Sequence, residues 1–405
     1  MRTLIAAAVA VLLAATPAAA EDLPIAPSPT PSAAPGVEIP DFATKAWIVV
    51  DAGSGAILAG QNIDEQRPMA STLKTLTALT LLPRLQNDSV HEGTARETLT
   101  EGMHVGVLAG SKYTVTQLLH GMLMRSGNDA AVALADAYGY QRTLDAMNAE
   151  AQRVGATHTV AKSPNGLDQP GQVTTATDLA QIYRVAIQDP RLTQILTTRE
   201  FEFPAQPPTD PTQSATTFTI YNHDTLLNEN YPGFLGGKSG FTSQAGRTYV
   251  AGAEQNGRRL VVALLGIGGG TTATARQVLD WSFANIDSLQ PIGQLPHVPT
   301  AEAINAEAAG SVADAADVAP LPPDPMMQQQ AQLVAEQAIA ASQQAATSNA
   351  DPNAAVPAAT SSGVAANMNV GGLTQPPFVQ AAPEPQPELA IKPVGVGQAA
   401  FLMAG

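Results

Sequence analysis

The sequence predicts an α/β (α+β) domain in which one antiparallel sheet is assembled from both ends of the folded region and helices pack on it. Three observations predict it: a hairpin-like pair of apolar runs opens the region, a second pair closes it, and the segments between them have helical periodicity. The opening pair is Lys45-Ala-Trp-Ile-Val-Val-Asp51 and Ala56-Ile-Leu-Ala-Gly60, joined by the turn-forming Ala52-Gly-Ser-Gly55. The closing pair is Arg247-Thr-Tyr-Val-Ala-Gly-Ala253 and Arg258-Arg-Leu-Val-Val-Ala-Leu-Leu265, separated by Gln255-Asn256-Gly257. Asn-Gly between two β-rich runs is the strongest short hairpin signal. A final helix is expected from about Thr272 to Asp287.

Between the hairpins the apolar spacing predicts a helix over Met69-Ala-Ser71-Thr-Leu-Lys74 to Leu82, stopped by Pro83, and further helices over Val115–Met124 and Asp129–Tyr138. Another is expected over Ala176–Ile187, with Thr175 or Thr177 as its cap. No internal repeat is visible.

Composition divides the 405 residues unevenly. The first twenty read as an export signal: Arg2, the apolar run Leu4–Ala15, and an A-x-A cleavage site at Ala18–Ala20. An uncleaved anchor is the runner-up, but the run is short for a bilayer span and contains Pro17. Residues 21–40 are a proline-rich linker, residues 41–290 the domain, and residues 291–405 a low-complexity tail with too little bulky apolar surface to offset ordering entropy. The net charge of −15 argues against nucleic-acid binding. Cysteine is absent, so neither disulfides nor thiolate zinc are available, and the six histidines have no metal-ligand spacing. The expectation is a protein exported without metal or cofactor.

One charge stands out in the first helix, because Lys74 is the only ionisable side chain between Arg67 and Arg84. Helical positions i and i+3 share a face, so Ser71 and Lys74 meet. A lysine in apolar surroundings loses solvation of its charged form, and its neutral amine can then activate a neighbouring serine. Two polar clusters follow: Ser126-Gly-Asn128 between helices, and Gly236-Gly237-Lys238-Ser239-Gly240-Phe241-Thr242 leading into the closing hairpin. Each alone reads as a turn or a flexible loop; their order after Ser71-x-x-Lys74 is specific.

In carrying these three motifs in this order, the sequence resembles the serine D-alanyl-D-alanine carboxypeptidases, low-molecular-mass penicillin-binding proteins of the penicillin-recognising fold. Their marks are Ser-x-x-Lys, Ser-x-Asn and Lys-Thr/Ser-Gly, here Ser71-Thr-Leu-Lys74, Ser126-Gly-Asn128 and Lys238-Ser-Gly240. Arg67–Ser71, Gly121–Ala135 and Asn165–Gly171 look like the flanking sequences as well, and the likeness covers about residues 40–290. The resemblance implies a five-stranded antiparallel sheet flanked by helices, as in serine β-lactamases and DD-peptidases. It also implies acyl transfer on peptidoglycan stem peptides ending in D-Ala-D-Ala, with β-lactams as inhibitors.

By the same resemblance, Ser71 is the nucleophile and Lys74 its general base. Ser126 relays a proton to the leaving amine, and Asn128 holds substrate backbone and Lys74. Lys238 and Ser239 meet the terminal carboxylate, with Gly240 and Thr242 as further substrate-binding positions, Gly240 allowing close approach. The N–H groups of Ser71 and Phe241 form an oxyanion hole, worth about 3 to 4 kcal/mol per donor. Ser239 stands where threonine is commoner but keeps the hydroxyl. The tail shows neither a second β-domain nor an amphipathic anchor, which leaves membrane attachment open; Met326–Ala346 has helical composition with a thin apolar stripe.

A class A β-lactamase activates its deacylating water with a glutamate from a Glu-x-x-Leu-Asn stretch. None lies between Asn128 and Lys238, and Glu150, Glu200 and Glu229 stand in other contexts. A D,D-endopeptidase cutting cross-links would use the same residues and is the nearest competing function. A non-catalytic wall-binding protein, with the long tail carrying the function, competes less well because every catalytic side chain is present.

Overall fold

The computed structural model describes residues 32–33, 36–205 and 216–297, all within one contact unit. The expected export signal, the tail beyond residue 297 and the Met326–Ala346 helix lie outside the described residues. In chain order the elements are β1 (Ser32–Ala33), β2 (Thr44–Asp51), β3 (Ala56–Gln61), a 3₁₀ turn (Ala70–Leu73), α1 (Lys74–Leu81), β4 (Val90–Glu92), α2 (Ala95–Thr98), β5 (Lys112–Thr114), α3 (Val115–Met124), α4 (Asn128–Tyr138) and α5 (Tyr140–Arg153). They continue with α6 (Ala176–Ala186), α7 (Pro190–Thr197), β6 (Glu200–Pro204), β7 (Thr217–Tyr221), α8 (Thr225–Asn228), β8 (Phe234–Thr242), β9 (Gly246–Gln255), β10 (Arg258–Ile267), α9 (Thr271–Ala284) and β11 (Gly293–Gln294).

Both expected hairpins form and meet in the middle of one antiparallel sheet, in the order β1-β3-β2-β10-β9-β8. The join is β2 against β10, with Val50 opposite Val261 and Ile48 opposite Ala263. At the β9–β10 turn Asn256 and Gly257 have φ of 50° and 73°, the two positive angles that Asn-Gly supplies. Five long strands are present, as expected. Beyond them β1 and β11, two residues each, pair with successive halves of the outer edge of β3. They come from the stretches read as linker and tail, and they cover backbone groups that an exposed edge would leave open to other chains.

Side chains alternate across the sheet, so both faces carry a core. Ile48, Val50, Val261 and Ala263 face α1, α3–α7 and their main cluster. Trp47, Val49, Leu260, Val262 and Leu264 face α9. Burial on both faces is why these strands read as nearly continuous apolar runs. The α9 layer is closed by an aromatic group, Phe42 edge-on to Trp47 at 4.9 Å and to Trp281 at 5.7 Å. Val37 and Ile39 pack against the same cluster, and the Trp281 indole N–H donates to the Glu38 carbonyl at 2.9 Å.

On the other face α1 is buried along its whole length, the condition in which a helix shows no polar side. The structure differs from the sequence expectation at its start, because Ala70–Leu73 is a 3₁₀ turn and the α-helix begins only at Lys74. The tighter turn superposes residues i and i+3, which brings Ser71 over Lys74 more directly than an α-helix would. Thr175 is the cap of α6, accepting the Asp178 N–H at 3.0 Å.

Trp47 is 1% exposed at the centre of the α9-side core. Trp47→Ala is expected to lower unfolding free energy by about 3–5 kcal/mol, read from the urea midpoint at unchanged slope.

Candidate active site

The Ser71 turn is a strained piece of backbone held from several sides. Ala70 has φ of 49°, a conformation a residue with a Cβ rarely adopts. The Met69 carbonyl just before it accepts from Thr72 Oγ1 at 2.6 Å and from Thr248 Oγ1 of β9 at 3.0 Å. Gly166 lies so close that a Cβ there would stand 2.0 Å from the Ala70 carbonyl oxygen. Gly240 of β8 is also tight, since its Cβ would lie 2.7 Å from the Ser71 backbone nitrogen. The sheet edge and the 163–172 loop therefore grip the turn from opposite sides.

Beneath Ser71, the Lys74 side chain is 0% exposed. Its Nζ lies 2.8 Å from Ser71 Oγ, 2.7 Å from Asn128 Oδ1 and 2.6 Å from the Asn165 carbonyl oxygen. Burial drives its pKa well below the ordinary lysine value, and the Lys238 charge adds to this while Asp129 opposes it. A neutral amine has two N–H donors and one lone pair. Asn128 Oδ1 and the Asn165 carbonyl can only accept, so they take the two donors. The lone pair is left facing the one partner that owns a proton, the Ser71 hydroxyl.

Each of these partners is itself held. Asn128 opens α4; its Nδ2 donates to the Glu101 carbonyl at 2.7 Å and its backbone N–H to the Met103 carbonyl at 2.7 Å. Next to it, the buried Asp129 carboxylate accepts the backbone N–H groups of Val105, Gly106 and Val107. The Asn165 carbonyl is fixed by its neighbour, because Thr77 Oγ1 of α1 donates to the Pro164 carbonyl at 2.7 Å.

The second serine, Ser126, sits between α3 and α4 at φ 59°, again the left-handed region. Its Oγ accepts from Lys238 Nζ at 3.0 Å, and the same ammonium donates to the Ser239 carbonyl at 2.7 Å. Burial pushes the Lys238 pKa down to about 8, against the attraction of Asp224. Asp224 is fixed behind the strand by Tyr249 Oη at 2.7 Å and by two N–H groups of α8, Leu226 and Leu227.

Ser71, Ser126, Lys238, Ser239, Gly240 and Phe241 line one cleft of about 430 Å³. Lys74 and Asn128 lie under its floor. Thr242 stands apart: its Oγ1 donates to Asp168 Oδ1 at 2.8 Å, tying the end of β8 to the 163–172 loop. Its hydroxyl is committed to the protein. Sequence reasoning did not single out Asn165, Asp168, Asp129 or Asp224, nor His223 and Arg247, which also line the cleft. The Arg247 guanidinium stands over the Phe241 ring, 5.9 Å from its centre. The signal available for Asn165, Asp168 and Asp129 was the likeness of Asn165–Gly171 and Gly121–Ala135 to the family's flanking sequences.

A serine against a buried lysine, a second serine against another lysine, and a sheet edge that pairs with no further strand among the described residues are the parts that serine acyl transfer calls for. Over residues 33–268 the chain matches the family model described as D-alanyl-D-alanine carboxypeptidase, and it belongs to that family. It is 42% identical over 256 residues to the D-alanyl-D-alanine carboxypeptidase DacB2 of Mycobacterium tuberculosis, covering 61% of this chain and 85% of that protein. To DacC of Escherichia coli it is 31% identical over 274 residues, which span 63% of this chain and 65% of the relative. A solved structure of D-alanyl-D-alanine carboxypeptidase from Mycobacterium tuberculosis matches with TM-score 0.59 at 40% identity, covering 66% of this chain and 99% of that one. The Streptomyces K15 DD-transpeptidase matches with TM-score 0.58 at 26% identity, over 61% and 100% of the two chains.

The Thr242–Asp168 hydrogen bond fixes the strand end that carries the Phe241 N–H. Thr242→Val is expected to slow acylation by a fluorescent penicillin about tenfold, with under about 1.5 kcal/mol lost in stability. Thr242→Ser keeps the bond and the rate.

Proposed function

We propose that this protein removes the terminal D-Ala from peptidoglycan stem peptides through an acyl-enzyme on Ser71, and that penicillin acylates the same oxygen. The observation that carries the reading is the Lys74 amine, buried among two acceptors and one hydroxyl. Ser71 Oγ attacks the carbonyl of the penultimate D-Ala while its proton passes to Lys74. The carbonyl oxygen becomes an anion between the N–H groups of Ser71 and Phe241. Ser126, bonded to Lys238, returns a proton to the leaving amine as the peptide bond breaks. Water then hydrolyses the ester.

The substrate lies along β8, whose outer edge pairs with no strand among the described residues and offers backbone groups to an added extended peptide. Lys238 and the Ser239 hydroxyl take the terminal carboxylate. Such a substrate places the working protein outside the cytoplasm after export. Among the described residues no helix is long and apolar enough to cross a membrane.

Deacylation of a penicilloyl adduct is expected to be slow, because the glutamates are engaged elsewhere. Glu150 pairs with Arg153, Glu202 accepts from Thr217 and Thr219, Glu229 pairs with Arg276, and Glu200 is exposed on β6.

Incubation with a fluorescent penicillin followed by mass spectrometry should place one adduct on Ser71, and Ser71→Ala should lose both the label and D-Ala release. Rapid turnover of benzylpenicillin would contradict the reading. The pH profile has a defined sign. Lys74 must be neutral, so kcat/KM rises with pH through its lowered pKa. Lys238 must be charged, so kcat/KM falls as pH passes about 8. A rate still rising at pH 10 would rule out the role given to Lys238.

A further inference from the structure

The edge strand β8 has a cation on each of its faces. In its pairing with β9, Ser239 stands opposite Tyr249, Gly240 opposite Thr248 and Phe241 opposite Arg247. Lys238 and Gly240 face the helices: the Lys238 ammonium reaches Ser126, and Thr248 reaches the Met69 carbonyl just before the Ser71 turn. Alternation then puts Ser239, Phe241 and Arg247 on the opposite face, that of Tyr249, which packs in the α9-side core. Ser239 and Arg247 are diagonal neighbours there, about 7–8 Å apart at Cα and within reach of a long side chain. Both line the cleft, as does Thr271, the first residue of α9.

The two cations differ in what they have left to offer. Lys238 is 3% exposed, and two of its three N–H donors go to Ser126 Oγ and the Ser239 carbonyl. One N–H remains for a carboxylate that has two oxygens. Arg247 is exposed, and its guanidinium makes no hydrogen bond or ion pair among the described residues; it stands over the Phe241 ring, itself 67% exposed. The Ser239 hydroxyl is likewise without a partner among the described residues, and the Gly270 cap brings no side chain to the free N–H groups of the first turn of α9. Asp224, the acid that lines the cleft, is engaged by Tyr249 and two N–H groups of α8. A fork of N–H donors beside a hydroxyl, with no acid of the protein to claim it, matches the two oxygens of a carboxylate.

We propose that Arg247 is the specificity residue that makes a free carboxylate on the leaving residue a requirement of this site. Its guanidinium pairs with the carboxylate on the α9 face, beside the Ser239 hydroxyl, while Lys238 spends its last N–H there and keeps its bond to Ser126. The substrate class is an acyl-D-Ala whose leaving amine carries a carboxylate on the adjacent carbon. A leaving residue that is amidated, or extended by a further residue, is rejected. Penicillin meets the same demand, because its carboxylate also stands one carbon from the nitrogen of the bond that opens. Arg247 takes no part in bond breaking. The inference rests on the D-Ala-D-Ala reading.

The test uses the full chain with an N-acylated peptide ending in D-Ala-D-Ala and the C-terminal amide of the same peptide. Release of D-Ala from the free acid by the wild type, with penicillin labelling of Ser71, reports the underlying reading, and if both fail the inference falls with it. If they succeed, the wild type should cleave the acid with kcat/KM about a hundredfold above the amide. That ratio should drop about tenfold in R247Q, mostly through KM for the acid, and recover in part in R247K, which restores the charge but not the fork. Urea midpoints close to the wild type confirm that each variant is folded. Acylation of Ser71 by benzylpenicillin and by its methyl ester gives a second ratio that should move the same way. A wild-type acid-to-amide ratio near one overturns the inference without needing any variant. So does a ratio that survives intact in R247Q.

Discussion

The constraint on which the site depends is the number of hydrogens on one buried amine. Lys74 is sealed from solvent with three neighbours at hydrogen-bonding distance. Charged, it would donate to all three, and Ser71 would receive a proton it cannot use. Neutral, it satisfies the two carbonyl-type oxygens and turns its lone pair to the hydroxyl. The burial that removes solvation and the choice of two partners that cannot donate act together. Replacing either acceptor by a hydroxyl would let the lone pair point elsewhere.

That arrangement accounts for much of the surrounding architecture. The amine needs a helix buried on every side, which explains why α1 lies between the sheet and the other helices. Ser71 must sit at the end of that helix, where the interior opens onto the cleft. The turn that achieves this carries Ala70 at positive φ, and the opposite wall carries Ser126 in the same region. Such backbone persists only where neighbours over-determine it. Here Gly166 and Gly240 press on the Ser71 turn, and the Asp129 carboxylate ties the 105–107 loop to the start of α4.

The fold was legible where periodicity and turn chemistry are strong. The two hairpins, α3 and α6 stand within a residue or two of their sequence expectation, because alternation and the Asn256-Gly257 turn are local signals. The 3₁₀ start of α1 was not legible: the turn packs against Gly166, almost a hundred residues away, a contact no local pattern announces. Nor were β1 and β11, whose sequences carry no strand signal and which pair only because the β3 edge is available. At the site, Ser71, Lys74, Ser126 and Lys238 could be picked out because a serine or lysine in such settings is unusual. Asn165 contributes only a backbone carbonyl and Asp168 only a clasp on Thr242, functions that leave no mark on residue type. Thr242, singled out for the substrate, is bonded to the protein.

The two lysines show how one side chain supports opposite tasks within a single cleft. Both are buried, and burial lowers both pKa values. Lys238 has Asp224 behind it, and its ammonium meets Ser126 Oγ and the Ser239 carbonyl, so the charge survives at neutral pH with a value of about 8. Lys74 has only Asp129 on its side, and that carboxylate already faces three loop N–H groups. The Lys238 charge then raises the cost of a second cation close by. A cation kept at one lysine therefore helps keep the other neutral. If substrate binding neutralises Lys238 electrostatically, the pressure on Lys74 eases, and the amine becomes a stronger proton acceptor at the moment its serine must lose a proton.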